Sequence, residues 1–508
     1  MALRSVSGKD KQIQNLFLAG TLALAFCLRW FRLGASSLWF DEIMTAGRVT
    51  ERVPEILREL RHLQFPPLYY LTVKVFVKLF GFNEFSLRLP SAIASVLCVF
   101  MVYRLGKTLF GQREGLIAAF LITISAYNIN YAQEAKMYAM TWLLTTASYL
   151  YFFRWLNSLR RRHLVLYALF SWLLIFTYYQ GFLFLISQNI FFFFYLKAKK
   201  TNAWLKTQAV ILFTYLPWAV LALPHVQDMV SGIYWIDHWP YLYFFKMLFM
   251  SCLDLKPWPW EFLLPLFQLP LLKKIQAVLY FTLFFLAFIR LGKAKKQNSF
   301  QWDLHAGELL MLSWIVIPVI GYVLIDKFSH PILVVRYLGF VHLPLFLLLA
   351  KGIGRLSPKL IPLCLAIILI FSIPLNLYPY YHDASKISYE DWREAGRFLD
   401  KEAGANSIVI APVYPRLLLR TLRNGFAMYY RNSQEIVNDE RLVGIPYGTA
   451  SNKSSADYQD LTVRADRNKS YYVILHYRQE PPEWWSEYFR RVDVYYFRKL
   501  KIFKYMPL

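Results

Sequence analysis

Apolar residues in this chain are gathered into long runs, separated by short basic clusters, as far as about residue 377. A bilayer core of ~30 Å needs about 20 apolar residues in a helix to cross it. By that measure the pattern predicts about eleven spans. They fall near Leu16–Phe31, Leu89–Leu105, Gly115–Tyr131, Tyr138–Trp155, Leu164–Tyr179, Phe182–Leu196, Val210–Leu223, Leu263–Ile289, Leu309–Ile325, Ile332–Ala350 and Leu360–Leu377. Arg29 and Arg32 close the first run without a small-x-small cleavage site, which predicts an anchor rather than a removed signal. The stretch from Leu38 to Arg88 has mixed polarity and is not one span. Inside it, Pro66-Pro67-Leu68-Tyr69-Tyr70 opens an apolar helix carrying Lys74 and Lys78, a pattern suited to a helix lying in the interface. Tyr241–Cys252 is apolar but short, and is predicted as a second interfacial or re-entrant helix.

From about Tyr378 the chain becomes polar and mixed in charge. A helix is predicted over Tyr389–Lys401 and strands over Ser407–Val413, Tyr471–His476 and Val492–Phe497. The predicted fold class is a mainly α membrane protein with a small C-terminal α/β domain. Residues 1–378 form the multi-pass membrane domain, with a first outer loop at about 34–88, and 379–508 form an extracytoplasmic domain.

Composition agrees: 57% of the residues are hydrophobic and 18% aromatic. The net charge of +25 would point to nucleic acid in a soluble protein. Here much of it sits in the loops around Arg104/Lys107/Arg113, Arg154/Arg160/Arg161/Arg162, Lys197/Lys199/Lys200/Lys206, Arg290/Lys293/Lys295/Lys296 and Lys351/Arg355/Lys359. With the N-terminus in the cytoplasm, all of these loops lie on the inner side, as the positive-inside rule requires. The opposite loops hold Asp41, Glu42, Gln133, Glu134, Asp237 and Asp326, and an odd number of spans places the tail outside. Membrane lipids, and no nucleic acid, are the partners this pattern implies. The four cysteines have no metal spacing and no CxxC pair, and no glycine-rich phosphate loop is present. The sequons at Asn452 and Asn468 matter only in a host that glycosylates them.

Several charged residues gather at the predicted outer face. Asp41 and Glu42, in Ser37-Leu38-Trp39-Phe40-Asp41-Glu42-Ile43-Met44, either cap the short helix that follows or serve as acids in a membrane-surface site. Gln133, Glu134 and Lys136 lie where the third span gives way to the fourth, on the same face as Asp41, and Lys136 suits a phosphate. Arg336, beside Tyr337, either snorkels to the interface or presents a fork of N–H donors to a lipid-linked phosphate. His330 is a further candidate, with an ordinary interface histidine as its alternative.

The segment from Ser37 through Tyr138 resembles the bacterial protein O-mannosyltransferase-like and aminoarabinose-transferase-like branch of the GT-C membrane glycosyltransferases. The residues that carry the resemblance are Leu38-Trp39-Phe40-Asp41-Glu42, Pro66-Pro67-Leu68-Tyr69-Tyr70, Arg88-Leu89-Pro90-Ser91-Ala92 and Tyr131-Ala132-Gln133-Glu134-Ala135-Lys136-Met137-Tyr138. Arg336-Tyr337 and Asp391-Trp392-Arg393-Glu394-Ala395 match later on. The resemblance implies a sugar transfer at the outer face of a cell membrane, the bacterial inner membrane, from a polyprenyl-phosphate donor with inversion at the anomeric carbon. It implies Asp41 as general base, Glu42 in support, and Lys136, Arg336 and Tyr337 at the donor phosphate. Glu134, Gln133, Tyr69 and His330 would shape the substrate site. Phe65 stands where many relatives carry histidine, and Lys136 where many carry arginine.

An acceptor hydroxyl must lose a proton as it attacks, and a carboxylate within reach can take it. A lipid phosphate already leaves well, so cations to neutralise it suffice. Two other classes remain open on sequence grounds: a lipid-linked sugar flippase, and an inactive accessory protein whose tail binds glycans or a partner. No cofactor is required by the pattern. A divalent metal stays open, with Glu134 its candidate ligand. The acceptor, whether lipid, glycan or protein, is not specified by any motif.

Overall fold

The computed structural model describes residues 8–63, 65–195, 201–225, 240–254, 271–289, 306–329, 331–382, 391–404, 407–410, 418–433, 436, 469–476, 489–497 and 500–507. In chain order the first helices are α1 (Gly8–Trp30), α2 (Phe40–Thr50), α3 (Val53–His62), α4 (Leu68–Phe80), α5 (Glu84–Leu109), α6 (Gln112–Ile124) and α7 (Ala126–Ala132). Next come α8 (Tyr138–Ser158), α9 (Arg161–Ile175), α10 (Gln180–Tyr195), α11 (Thr201–Ala222), α12 (Tyr241–Cys252), α13 (Leu271–Leu286) and α14 (Ala306–Phe328). The last are α15 (His342–Gly354), α16 (Leu360–Ser372), α17 (Tyr378–His382), α18 (Trp392–Glu402) and α19 (Leu418–Phe426). The strands are β1 (Ser407–Ile410), β2 (Ser470–His476), β3 (Phe489–Phe497) and β4 (Leu500–Pro507). The chain divides into two compact units, one of residues 1–31, 90–221 and 238–383, the other of 32–89, 222–237 and 384–508.

The first unit is helical. A helix lies on part or all of each run predicted as a span, although residues 332–338 of the Ile332–Ala350 run are irregular, and residues 196 and 263–270 of two other runs lie outside the described residues. Among the described residues, five stretches are long and apolar enough to cross a membrane: Asp10–Trp30, α5, α11, α14 and Leu360–His382. The pair α6 and α7, bent by 65°, adds a sixth. The count of eleven therefore exceeds what helix length and composition support among the described residues. Some of the other helices fall short for a simple reason. In α8 the face that packs inward carries Thr141, Thr145, Thr146 and Ser148, whose hydroxyls dilute the apolar run, and α9 spans only 15 residues. The hydroxyls of Thr141, Thr145 and Thr146 each donate one turn back to a carbonyl of their own helix. The protein is a multi-pass membrane protein.

The second unit joins the first loop to the tail. Here α2 packs on α19 so closely that glycine is required on both helices. A Cβ on Gly47 would stand 1.7 Å from the Thr421 carbonyl oxygen, and one on Gly425 would stand 2.1 Å from that of Ile43. The sheet has the order β1-β2-β4-β3, with β1 and β2 parallel and the other pairs antiparallel. Its buried face brings together Ile410, Tyr471, Val473, Leu475, Phe489, Phe503 and Tyr505.

The helix and the three strands expected in the tail are present. The expected end of the first strand (411–413) and start of the helix (389–390) lie outside the described residues. The sheet also has a strand that was not expected, β4, whose Leu500, Ile502 and Phe503 are buried while Lys501 and Lys504 are half-buried. Both short helices expected at the interface, α4 and α12, are present.

Candidate active site

In the second unit the site grows from the start of α2. Trp39 is extended, and Asp41 and Glu42 occupy the first turn of the helix, where carboxylates meet its free N–H groups. Glu42 Oε2 accepts from the Trp39 N–H at 3.4 Å. Glu42 is 1% exposed, and its two oxygens accept from Arg88 Nε at 2.8 Å and Nη2 at 2.7 Å. The rest of the Arg88 fork holds the loop ahead of α2. Nη1 donates to the carbonyls of Leu33 and Ser36 and to the Ser36 hydroxyl, and Nη2 to the carbonyl of Ser37. Arg393 grips the same loop through the Ala35 carbonyl, its backbone N–H donates to Ser37 Oγ, and Tyr429 accepts from the Leu38 N–H. The loop that presents Asp41 is thus tied at five residues, 33 and 35–38.

Asp41 is half-buried beside a second charged group. Arg48 donates through Nε and Nη2 to Glu59 Oε1 at 2.9 and 2.7 Å and lies over the Tyr70 ring at 4.8 Å. Burial works to lower the Arg48 guanidinium, but Glu59, Tyr70 and Asp41 hold it above its usual value. Burial pushes the Tyr70 phenol up to about 12, with Arg48 opposing and Asp41 and Glu59 adding to the rise. Tyr69, expected to shape the site, is fully buried with its ring edge-on to Tyr70.

In the first unit the turn Gln133–Lys136 follows α7. Gln133 Nε2 donates to the carbonyls of Arg29 at 3.0 Å and Phe31 at 2.9 Å, and its Oε1 accepts from the Tyr380 hydroxyl. Asn130 Nδ2 donates to Glu134 Oε1 at 2.9 Å, and Ser91 Oγ to the Lys136 carbonyl at 3.0 Å. Glu134 and Lys136 are both buried, 6% and 7% exposed, so their side chains point into protein rather than solvent. Arg336 lies in the irregular segment between α14 and α15, its guanidinium 5.5 Å from the Tyr337 ring centre. Asp326 sets that segment by accepting from the N–H groups of Ile332 and Leu333 at 2.8 and 3.2 Å. Tyr178 packs against Tyr138 and Tyr337, with ring centres 6.3 and 6.5 Å away, and so connects the Lys136 and Arg336 segments. His330 lies outside the described residues.

Residues 64–227 match the family of dolichyl-phosphate-mannose-protein mannosyltransferases. No curated protein sequence matches the chain. Among solved structures, ArnT from Cupriavidus metallidurans in the apo state aligns with a TM-score of 0.56 at 12% identity, over 98% of this chain and 98% of that one. The chain shares the fold of that protein along almost its whole length. ArnT bound to undecaprenyl phosphate gives a TM-score of 0.55 over the same 98% of each chain at 12% identity. The archaeal oligosaccharyltransferase AglB from Archaeoglobus fulgidus, in complex with an inhibitory peptide and a dolichol-phosphate, gives 0.52 at 14% identity, over 92% of this chain and 70% of that one.

Sequence reasoning on this chain missed Arg48, Glu59 and the partner of Glu42. Arg88 was visible only as part of a motif; an arginine just inside an apolar run, needing a buried acid, was the available signal. Among the described residues, no three His, Cys, Asp or Glu side chains stand close enough to hold a metal ion. Glu134, the expected candidate ligand, has its Oε1 accepting from Asn130.

Proposed function

We propose that this protein is a glycosyltransferase that moves a sugar from a polyprenyl-phosphate donor to an acceptor hydroxyl or phosphate at the outer face of the membrane, with inversion and with Asp41 as general base. The observation that carries the reading is the fold, shared along almost the whole chain with a protein solved with undecaprenyl phosphate. The match to a family named for a dolichyl-phosphate-linked sugar supports the same donor class. The distribution of basic loops favours a cytoplasmic N-terminus and an outer position for Asp41.

For a hydroxyl acceptor, the Asp41 carboxylate takes the O–H proton as the oxygen attacks the anomeric carbon from the side opposite the phosphate. The bond from that carbon to the phosphate oxygen breaks, its electron pair stays on the phosphate, and polyprenyl phosphate leaves. Lys136 and Arg336 neutralise the charge that collects there, Arg336 through its planar fork. Glu42 acts through Arg88 by holding the loop, and is a positioning residue. Gln133, Glu134 and Tyr337 line the donor side.

The test is Asp41→Asn in membranes supplied with a polyprenyl-phosphate sugar. Transfer should fall by about 10²- to 10⁴-fold while donor binding persists. Undiminished transfer removes Asp41 as the base. Wild-type protein that carries the lipid across the bilayer without transferring sugar would establish a flippase instead.

A further inference from the structure

The break between α6 and α7 is mended by two charged side chains from elsewhere in the first unit. In a continuous helix the N–H groups of Ala126 and Tyr127 would bond the carbonyls of Ile122 and Thr123. Ser125 is extended (φ −69°, ψ 115°), so both bonds are lost and four backbone groups are left without helical partners. Arg29, from the end of α1, takes the two carbonyls: Nη2 donates to Ile122 at 3.1 Å and Nη1 to Thr123 at 3.1 Å. Asp254, after α12, takes the Tyr127 N–H, accepting at 2.7 Å, and its carboxylate also interacts with the Ala126 N–H and the Ser125 hydroxyl.

Neither side chain is a casual neighbour. Arg29 is fully buried, and its other donors reach Ser95 Oγ at 2.7 Å, the Ala25 carbonyl and Asn128 Oδ1 at 2.6 Å. Asp254 has φ +54°, a left-handed conformation at the end of a helix where glycine is the usual residue. A side chain retained at such a position, with its carboxylate on the start of α7, points to a function for that carboxylate. Lys273 faces it, donating to the Asp254 carbonyl at 2.8 Å.

The brace reaches both segments assigned to the donor phosphate. The seven-residue helix α7 runs directly into Gln133–Lys136. Asn128, held by Arg29, also bonds His342 Nε2 at 3.0 Å through its Nδ2. His342 in turn contacts the Gly339 carbonyl, close after Arg336 and Tyr337. We infer that Arg29 and Asp254 are positioning residues that carry the lost helical bonds across the break and thereby set Lys136 and Arg336 for a lipid-linked phosphate. This deepens, and for its last step rests on, the proposed transfer from a polyprenyl-phosphate sugar.

The experiment uses full-length protein in lipid nanodiscs, with Asp254→Ala, Asp254→Asn, Arg29→Gln and Arg29→Lys. Hydrogen–deuterium exchange over residues 126–137 reads the brace without reference to activity. Exchange there should rise in Asp254→Ala and Arg29→Gln, and stay near wild type in Asp254→Asn, which keeps the acceptor oxygen. In transfer assays, KM for the polyprenyl-phosphate sugar should rise about 10- to 100-fold in the same two variants, with kcat changing far less. Asn and Lys should restore most of that loss. Wild-type exchange in Asp254→Ala overturns the brace, and raised exchange with unchanged KM overturns its positioning role. A wild type that transfers nothing from the lipid sugar defeats the proposed function, while the exchange result still decides the brace.

Discussion

Arg88 and Glu42 form a two-pronged ion pair, each carboxylate oxygen meeting one guanidinium nitrogen within 2.8 Å, and both side chains are buried. Removing one member leaves the other charge stranded, which typically costs about 3–5 kcal/mol. Arg88→Ala should therefore lower the apparent melting temperature of the purified protein sharply. The double variant Arg88→Ala with Glu42→Ala should recover part of the loss, because no lone buried charge remains. Arg88→Lys should fall between, since an ammonium reproduces the charge and not the fork. Thermal unfolding in detergent checks all three.

Lys136 and Arg336 should separate from Asp41 in kinetics. A hydrogen bond to a charged group is worth about 1.5–3 kcal/mol, so Lys136→Ala should raise KM for the donor by roughly 10- to 100-fold. Lys136→Arg keeps the charge and should retain transfer. Competition by unlabelled polyprenyl phosphate measures the affinities directly.

Tyr70 gives the second unit an alkaline limit. Its phenol is pushed from 10.0 to about 12 in the folded protein. Between those values the unfolded chain releases a proton that the folded chain keeps, so this contribution is intact below pH 10 and is lost as pH rises towards 12. The melting temperature should drop across that window, and Tyr70→Phe should flatten the drop.

The crossing of α2 and α19 should not tolerate a methyl group. Gly47→Ala and Gly425→Ala both place a Cβ inside the van der Waals shell of a backbone carbonyl, and overpacking of this kind costs about 1–3 kcal/mol or more. Gly20→Ala meets nothing within 4 Å and should be neutral. Yield of monodisperse protein and melting temperature distinguish them.

Local pattern made much of the architecture legible. Runs of apolar residues located the helices, and alternation located three of the four strands. The fourth was hidden because Leu500–Pro507 alternates with lysines and follows its partner after two residues, so the pair reads as one charged stretch. The break at Ser125 was invisible, since Ile124, Ser125 and Ala126 interrupt no hydrophobic run. Of the candidate site, the residue types were readable and their partners were not. Glu42 looked as available as Asp41 until Arg88 was seen to occupy it. Arg29 read as an anchor's flanking charge, whereas it is buried against Ser95, Asn128 and two carbonyls, contacts that depend on residues 66 to 99 positions away. Pairings at that distance are set by tertiary packing, which periodicity does not encode.

The loop ahead of Asp41 also fixes an order of events in time. Ser37 waits for Arg393, 356 residues later in the chain. At about 5–20 residues per second, that wait is roughly 20 to 70 s during synthesis. Until the tail emerges, the segment lacks its final clasps and is open to proteases and to mispairing. A ribosome stalled before the tail would release a membrane bundle with its first extramembrane loop unlatched, so cells that make this protein need the tail to finish what the first loop started.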